Sequence, residues 1–255
     1  MTKELLRAGL ALALLGGLLA GGSARGEAVR PGEYLVNALD DPDENLIDYG
    51  DGIMTLREAI LRANADQGAS LIKFDAALQQ GVIWLRRELP AITEGALEIN
   101  GDANVATGSP VVPIRIMAPP ASGDSGVFCL KVQSSGNAFR NIILGGSQAG
   151  GIQISGPSTT LNLIHACNLG VDPYATLTND QMALSCGVRI TGGASDNTVY
   201  GCLIANCGRA GIHIEQSDCR RNIITRNMIG SPEAGVTGNA TGIHLQGSST
   251  LVGGV

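Results

Sequence analysis

The second half of the chain contains short stretches in which apolar residues occupy every second position. In Gly151-Ile152-Gln153-Ile154, for example, both isoleucines fall on one side of the backbone and Gln153 falls on the other. This period of two is typical of a β-strand with one buried face. Equivalent Gly-led stretches begin at Gly126, Gly151, Gly187, Gly211 and Gly242.

A second, Asn-led strand follows each of the first four stretches after a polar turn. Its pattern is Asn followed two positions later by an apolar residue, as in Asn162-Leu163-Ile164. The pair of strands repeats about every 24 residues, or about every 36 where the last loop is longer, and such a period indicates a solenoid. The Asn-led strands begin at Asn137, Asn162, Asn197 and Asn222.

One such unit cannot bury its own apolar face, because two short strands have no third layer to pack against. Parallel stacking of successive units solves this, and Gly, Asn and β-branched residues at these spacings disfavour a helix. The sequence therefore predicts an all-β fold, a right-handed parallel β-helix (solenoid), with its repeats over residues 111–255. The glycines are expected to supply unusual backbone angles at the corners, and the asparagines to bend the turns and hydrogen-bond along the axis.

A capping segment precedes the repeats. A strand over residues 34–37 and an acidic loop lead to a predicted α-helix over residues 55–64, which begins with the capping-box pair Thr55 and Glu58. The helix can cover the first coil, whose strand edges would otherwise be exposed. Residues 29–110 are accordingly assigned to an N-terminal cap and the first coils. The apolar stripe of the helix consists of Leu56, Ala59, Ile60 and Ala63.

The stretch Met54-Thr55-Leu56-Arg57-Glu58-Ala59 resembles the motif of the CSLREA domain, which begins exported bacterial parallel β-helix proteins of the pectin-lyase-like fold. The resemblance continues in Ala63-Asn64, Ile72-Lys73-Phe74 and Leu89-Pro90-Ala91-Ile92. Met54 replaces the Cys of the motif and Thr55 replaces its Ser. The resemblance implies structural roles for Leu56, Arg57, Glu58 and Ala59. It does not decide the function, because this fold carries lyases, hydrolases, adhesins and other surface proteins.

Residues 1–28 have the pattern of a secretory signal peptide. Lys3 and Arg7 precede an uncharged stretch over residues 8–22, and Ala24 and Ala28 are both suitable cleavage positions. The alternative of a membrane anchor is less favoured, because the apolar stretch is rich in Gly and shorter than the about 20 apolar residues that a spanning helix needs. We therefore expect a secreted or cell-surface protein with no membrane span after signal removal.

Composition narrows the set of partners. The formal net charge of −6 argues against nucleic acid as a partner. Six cysteines in an exported chain are compatible either with disulfides or with thiols that fill the core. Cys167 and Cys202 should be neighbours in adjacent coils, where we expect two thiols, since stacked parallel strands rarely orient such a pair for a disulfide.

Two columns of outward-facing side chains follow from the repeat. Neither column contains a carboxylate, whereas polysaccharide lyases and hydrolases need two or three acids close together. The candidate ligand-binding residues are Arg189, His213, His244 and Asp172, with the two histidines one coil apart, and a solvated polar column is the alternative interpretation. The Gly-led strands contribute Gln153, Arg189, His213 and His244, and the Asn-led strands contribute Arg140, His165, Tyr200 and Thr225.

The acidic loop of the capping segment offers weak calcium candidates in Asp41, Asp43 and Asp48. It lacks the Gly and the terminal Glu of an EF-hand loop. Solvation of the cap is the alternative role for these acids. Apart from calcium at this loop, no metal site and no cofactor is predicted.

The leading hypothesis is a secreted or cell-surface β-helix scaffold, adhesin-like or carbohydrate-contacting, without an evident catalytic site. Its expected partner is a polysaccharide or cell-surface glycan. The alternative is a polysaccharide lyase or glycoside hydrolase that acts on an acidic polysaccharide through His213 and His244. Residues 250–254 begin with Thr250 in place of Asn and read as another second strand of the repeat, with no visible C-terminal cap. The repeats are therefore expected to continue in a longer product or to pair with another molecule.

Overall fold

A computed structural model describes residues 32–103, 113–118, 127–230 and 236–253. The predicted signal peptide and Gly126, the first of the Gly-led positions, lie outside the described residues. In the described part, no helix has the length and apolar character needed to cross a bilayer.

The described residues form mainly short strands, with one substantial helix. The helices are α1 (Leu56–Ala65) and α2 (Asn179–Met182), and 3-10 turns lie at Glu44–Leu46 and Ala76–Leu78. The strands are β1 (Glu33–Val36), β2 (Ser70–Phe74), β3 (Val82–Trp84), β4 (Leu97–Ala103), β5 (Arg115–Met117), β6 (Phe128–Val132), β7 (Ala138–Arg140), β8 (Ile143–Gly145), β9 (Gly150–Ser155), β10 (Leu163–His165), β11 (Asn168–Leu169), β12 (Leu184–Thr191), β13 (Thr198–Tyr200), β14 (Leu203–Ile204), β15 (Cys207–Ile214), β16 (Ile223–Thr225), β17 (Met228–Ile229), β18 (Ile243–Leu245) and β19 (Leu251–Val252).

Parallel pairing joins these strands into three sheets that run along one axis. The eight-strand sheet has the order β1-β2-β4-β7-β10-β13-β16-β19, the six-strand sheet β17-β14-β11-β8-β5-β3, and the five-strand sheet β18-β15-β12-β9-β6. Each strand pairs with its equivalent one coil away. This arrangement confirms the predicted right-handed parallel β-helix.

The register along the five-strand sheet places four of the predicted glycines in one row. Ile152, Val188, Ile212 and Ile243 are paired in succession, so the glycines that precede them, Gly151, Gly187, Gly211 and Gly242, are aligned. The first repeat departs from the prediction. Phe128 pairs with Gly150 and Leu130 with Ile152, so Cys129, and not Gly126, occupies the row. This register turns Leu130 into the core and leaves charged Lys131 outside.

The reason for glycine in this row is close approach, and not the unusual backbone angle that the sequence suggested. A Cβ on Gly187 would lie 2.6 Å from the carbonyl oxygen of Gly211 and 2.5 Å from a methyl group of Ile204, and its φ is not in the left-handed region. Left-handed φ occurs outside the row, both in the residue that precedes each recurrent Asn, such as Leu161 (59°) and Asp196 (59°), and in glycines of the turns, such as Gly170 (76°) and Gly192 (63°). Glycine thus supplies the unusual backbone angle at these turns and not in the row.

The recurrent asparagines form a buried ladder, which we call the Asn ladder (Asn137, Asn162, Asn197 and Asn222). Asn162 donates its backbone N–H at 3.1 Å and its Nδ2 at 2.9 Å to Oδ1 of Asn197. Asn197 does the same to Asn222 at 3.0 and 3.1 Å, and Asn137 to Asn162 at 3.0 and 2.8 Å. The amide oxygens of Asn162, Asn197 and Asn222 therefore each accept two hydrogen bonds from the preceding coil, and that of Asn137 accepts one, from the backbone N–H of Leu97 at 3.0 Å. This pairing removes the cost of burying unpaired polar groups.

The core between the sheets consists of aliphatic columns supplemented by cysteines. Ile164 and Val199 of one column are fully buried. All six cysteines are buried free thiols, which matches the interpretation of cysteine as core filler. Burial raises the pKa of Cys129 and of Cys207 to about 12, so both remain protonated at neutral pH.

Helix α1 lies against β1 and β2 at one end of the coils. Thr55 accepts a hydrogen bond from the backbone N–H of Glu58 at 3.2 Å, which is the predicted cap. The reciprocal arm of the capping box is absent, because the Glu58 carboxylate accepts from Arg62 at 2.6 Å. Leu56, Ala59, Ile60 and Ala63 are buried as the stripe predicted.

Candidate functional site

A column of polar side chains lies on the outer face of the five-strand sheet. The register aligns Lys131, Gln153, Arg189, His213 and His244 in one outward column. Lys131 was missed in the sequence because the first repeat was placed in the wrong register. Its ammonium group contacts the carboxylate of Glu88 at 2.7 Å.

The two histidines of this column stack on each other. Their ring centroids are 4.6 Å apart and their planes differ by 5°. His213 is only 1% exposed, so the alternative of a fully solvated column is wrong for this residue. Neither of its ring nitrogens has a hydrogen-bond partner among the described residues. Nδ1 lies 3.1 Å from a carboxylate oxygen of Glu215, but the two groups are not oriented for a hydrogen bond. Burial lowers the pKa of His213, which favours the neutral ring.

Glu215 brings a carboxylate to a column in which the sequence showed none. Its Oε2 accepts from Nη2 of Arg189 at 2.7 Å and from the Thr191 hydroxyl at 3.2 Å. Burial raises the pKa of Glu215, but the hydrogen bond and charge of Arg189 outweigh burial and hold the pKa below its usual value. The signal was present in the sequence. Glu215 stands two positions after His213, so strand alternation places both on the same face.

Arg189 and Arg209 surround this carboxylate. The side chain of Arg189 is 32% exposed and that of Arg209 is 57% exposed, with Nη2 of Arg209 at 3.8 Å from Glu215. The buried Nε of Arg189 lacks a partner within the described part of the chain. We name Arg189, Arg209, His213, Glu215 and His244 the Arg–His patch. Two guanidinium groups face one carboxylate, which leaves a local positive charge.

The geometry of the Arg–His patch suits binding better than proton transfer. A catalytic acid or base must come within hydrogen-bond reach of the substrate. His213 is sealed beneath its neighbours and cannot do so, which removes one of the two residues on which the enzyme hypothesis rested. His244 is exposed, and the guanidinium groups can hold carboxylate or sulfate groups in a bidentate manner.

Asp172 does not join the Arg–His patch. Its carboxylate forms a doubly hydrogen-bonded ion pair with Arg115, at 2.9 and 3.2 Å, and both side chains are fully buried. It also accepts from the backbone N–H groups of Thr176 and Leu177. These bonds fix the loop that follows β11, so the ligand-binding role predicted for Asp172 is wrong and its role is structural.

The three calcium candidates, Asp41, Asp43 and Asp48, each contact a different group of the protein. Asp41 is buried against Arg57, with bonds of 2.7 and 2.9 Å, and a cation beside this guanidinium would be repelled. Asp43 pairs with Arg87 at 3.1 Å, and Asp48 accepts from the backbone of Gly50. In the described ranges, no group of three or more His, Cys, Asp or Glu residues could hold a metal ion.

The second outward column lies on the eight-strand sheet. Arg140, His165, Tyr200 and Thr225 are aligned as predicted. His165 stacks on Tyr200 with centroids 5.1 Å apart, and Nη1 of Arg140 lies 3.0 Å from Nδ1 of His165. Burial and the charge of Arg140 lower the pKa of His165. These planar groups contact one another and lack the unpartnered buried nitrogens of the Arg–His patch.

Comparison with known proteins agrees with the fold. The family model described as "Right handed beta helix region" matches residues 123–253, which is about half of the chain. The match begins just before β6 and reaches β19. No curated protein matches the chain.

Proposed function

The chain belongs to the right-handed β-helix family, and we propose that it is a non-catalytic scaffold whose Arg–His patch binds an acidic glycan. The main observation behind this proposal is that two guanidinium groups lie side by side. Glu215 holds that of Arg189 in place, and that of Arg209 is exposed. The chain as a whole has a formal charge of −6, so a positive patch on its surface requires a specific explanation. Attraction of carboxylate or sulfate groups provides one.

The face of a parallel sheet suits a linear polymer. Equivalent side chains recur at about 4.8 Å from one coil to the next, so consecutive groups of an extended ligand can meet consecutive rungs. Arg189, His213 and His244 lie on three successive rungs, with His213 in the middle. His213 supports His244 from below by stacking, and Arg209 extends the contact to one side.

We further propose that the protein is exported and displayed at a bacterial surface, in an adhesin-like role. The support is the signal-like stretch at residues 1–28 and the resemblance of residues 54–59 to the CSLREA motif. Mass spectrometry of the protein from the medium and cell-surface fractions tests this proposal. A mature N-terminus near residue 25 or 29 is expected, and retention of the intact N-terminus inside the cell would contradict it.

Binding to polygalacturonate, compared with an uncharged polymer that contains no sugar, such as polyethylene glycol, tests the glycan proposal. The wild-type protein should bind the acidic polymer, more weakly as salt rises, and Arg209→Gln should lower the affinity at least about fivefold, as expected for one charge-assisted contact. Arg220→Gln removes an exposed guanidinium elsewhere and is the matched control. Calorimetry measures all three affinities.

Two results would overturn the proposal. One is equal binding by the wild-type and Arg209→Gln proteins, or no binding by either. The other is shortening of the polymer chains during incubation, which would favour the polysaccharide lyase or hydrolase alternative. The incubation is repeated with calcium, since calcium-dependent turnover belongs to that alternative.

A further inference from the structure

The only tryptophan of the chain lies half exposed at the edge of the six-strand sheet. Trp84 ends β3, whose other residues are the buried Ile83 and the half-buried Val82, and its side chain is 48% exposed. Burial of a large apolar side chain is stabilising, so a half-exposed tryptophan offers apolar surface that a ligand can cover.

Trp84 lines an open cavity of about 460 Å³, which we call the Trp84 pocket. This volume lies within the range of roughly 300–1,000 Å³ that is usual for small-molecule sites. Leu39 and Val82 add apolar surface beside the tryptophan. Asp40 and Arg86 add exposed charged side chains, and neither engages a charged partner among the described residues.

The polar side of the Trp84 pocket is held rigidly from below. Asp41 binds Arg57 through both carboxylate oxygens and accepts the backbone N–H of Arg86 at 2.7 Å. Arg57 also donates to the carbonyl oxygens of Arg87 and Glu88 at 3.1 and 2.8 Å. This buried network ties the segment that carries Asp40 to the segment that carries Arg86. Both charged side chains therefore start from fixed backbone positions, which reduces the entropy lost when a ligand binds.

We propose that the Trp84 pocket binds a pyranose unit of an uncharged oligosaccharide. A pyranose ring has an apolar C–H face that can stack on the indole, and hydroxyl groups around its rim. The Asp40 carboxylate can accept hydrogen bonds from these hydroxyls, and the Arg86 guanidinium can donate them. An apolar peptide segment would use Trp84 and Leu39 but would leave both charged groups without a role, so the sugar fits the lining better.

This site is separate from the Arg–His patch. Trp84 belongs to the six-strand sheet, whereas the Arg–His patch lies on the five-strand sheet. The ligand classes also differ. Asp40 and Arg86 carry opposite charges, so together they give no net preference for an acidic sugar. The inference therefore stands whether or not the Arg–His patch binds a glycan.

Because Trp84 is the sole tryptophan, its fluorescence reports directly on the Trp84 pocket. The full protein is titrated with neutral hexasaccharides of glucose, mannose and xylose, and with an apolar proline-rich peptide. At least one hexasaccharide should give a saturable change in emission and protect Trp84 from acrylamide quenching. Asp40→Asn and Arg86→Gln should each weaken that binding at least fivefold, whereas the exposed-site control Glu94→Gln should not.

Calorimetry extends the test to variants without the fluorophore. Trp84→Ala should abolish binding and Trp84→Phe should restore part of it, with thermal unfolding used to verify that both variants fold. Arg209→Gln should retain full hexasaccharide binding, which separates this result from the test of the Arg–His patch. The inference fails if no hexasaccharide gives a saturable signal with the folded protein, if binding persists in the Asp40→Asn, Arg86→Gln double variant, or if only the peptide binds.

Discussion

At the scale of single residues, the properties of a side chain depend on what stands one coil above and below it. His213 faces outward by strand alternation, yet His244 of the next coil covers its ring and Glu215 covers its edge. The same stacking places the amides of the Asn ladder within reach of one another. A position that looks solvated within its own repeat can thus be buried by the neighbouring repeats.

His213 makes the stability of the protein sensitive to acid. Its folded-state pKa is lowered by burial, while in the unfolded chain it is about 6.5. As pH falls through the unfolded value, the unfolded chain takes up the proton first, so the stability contributed by the neutral ring is present above about pH 6.5 and is lost below it.

Chemical unfolding of wild type and His213→Phe at pH 7.5 and pH 5.5 measures this effect. The variant keeps an aromatic ring beneath His244 and should lose less stability between the two pH values. His244→Phe serves as the control because it changes the exposed partner of the stack. The explanation is wrong if wild type and His213→Phe lose the same stability between the two pH values. The variant should still lose some stability in acid, because the pKa of His165 is also lowered in the folded protein.

At the scale of structural elements, the spacing between neighbouring strands decides which residues can occupy each row. The glycine row of the five-strand sheet lies so close to the carbonyl groups of the next strand that a methyl group does not fit at Gly187. Gly242 lies in the same row, but the nearest atom to its added Cβ is 3.8 Å away. The two positions look equivalent in sequence and differ in their surroundings.

Alanine substitution distinguishes these two glycines. Gly187→Ala should destabilise the protein by about 1–3 kcal/mol, because the new methyl group forces the strands apart. Gly242→Ala should change the free energy of unfolding by less than about 0.5 kcal/mol. Urea unfolding of both variants provides the measurement. Equal effects at the two positions would contradict the close-approach explanation.

Sequence reasoning succeeded where repeats are alike and failed where they are not. Four glycines and four asparagines recur at matching offsets, and these offsets were sufficient to predict the parallel stacking and both outward columns. They predicted two strands in each repeat, whereas the Asn-led stretch divides into two strands that belong to different sheets, such as β10 and β11. The first repeat has no such regularity, so Gly126 was aligned where Cys129 stands. Contacts between distant segments were not predicted either, because the pairing of Asp172 with Arg115 depends on the path of a long loop. Glu215 lies two positions after His213, so the period-two rule does place its carboxylate on the outward face.

At the scale of the whole molecule, the coils are stabilised mainly by their nearest neighbours, as in other solenoids. The coil next to α1 has a neighbouring coil on one side only and therefore needs additional local interactions to stabilise it. The Arg57–Asp41 ion pair provides such an interaction, since both side chains are buried and Arg57 also donates hydrogen bonds to two carbonyl groups that follow β3. The exposed pair of Arg87 and Asp43 lies nearby and makes one longer contact of 3.1 Å.

Removal of the Arg57 guanidinium should loosen one end of the molecule selectively. Arg57→Leu leaves Asp41 buried without its charged partner, which typically costs about 3–5 kcal/mol. Arg87→Leu, the exposed control, should cost less than about 1 kcal/mol. Hydrogen exchange should accelerate in α1, β1 and β2 of the Arg57 variant while β12 and β15 keep their protection. Uniform acceleration throughout the chain would contradict the nearest-neighbour picture.

The Asn ladder has one irregular step. Asn162 and Asn197 are 35 positions apart, whereas the bonds on either side of that step span 25 positions. The additional residues, which include Asp172 and α2, leave the stack at a corner and return without disturbing the pairing of β10 with β13. Growth at this corner is therefore compatible with an unchanged scaffold. Evolution can diversify the exposed surface there, and a foreign peptide grafted at the same corner should leave the pairing of the rungs unchanged.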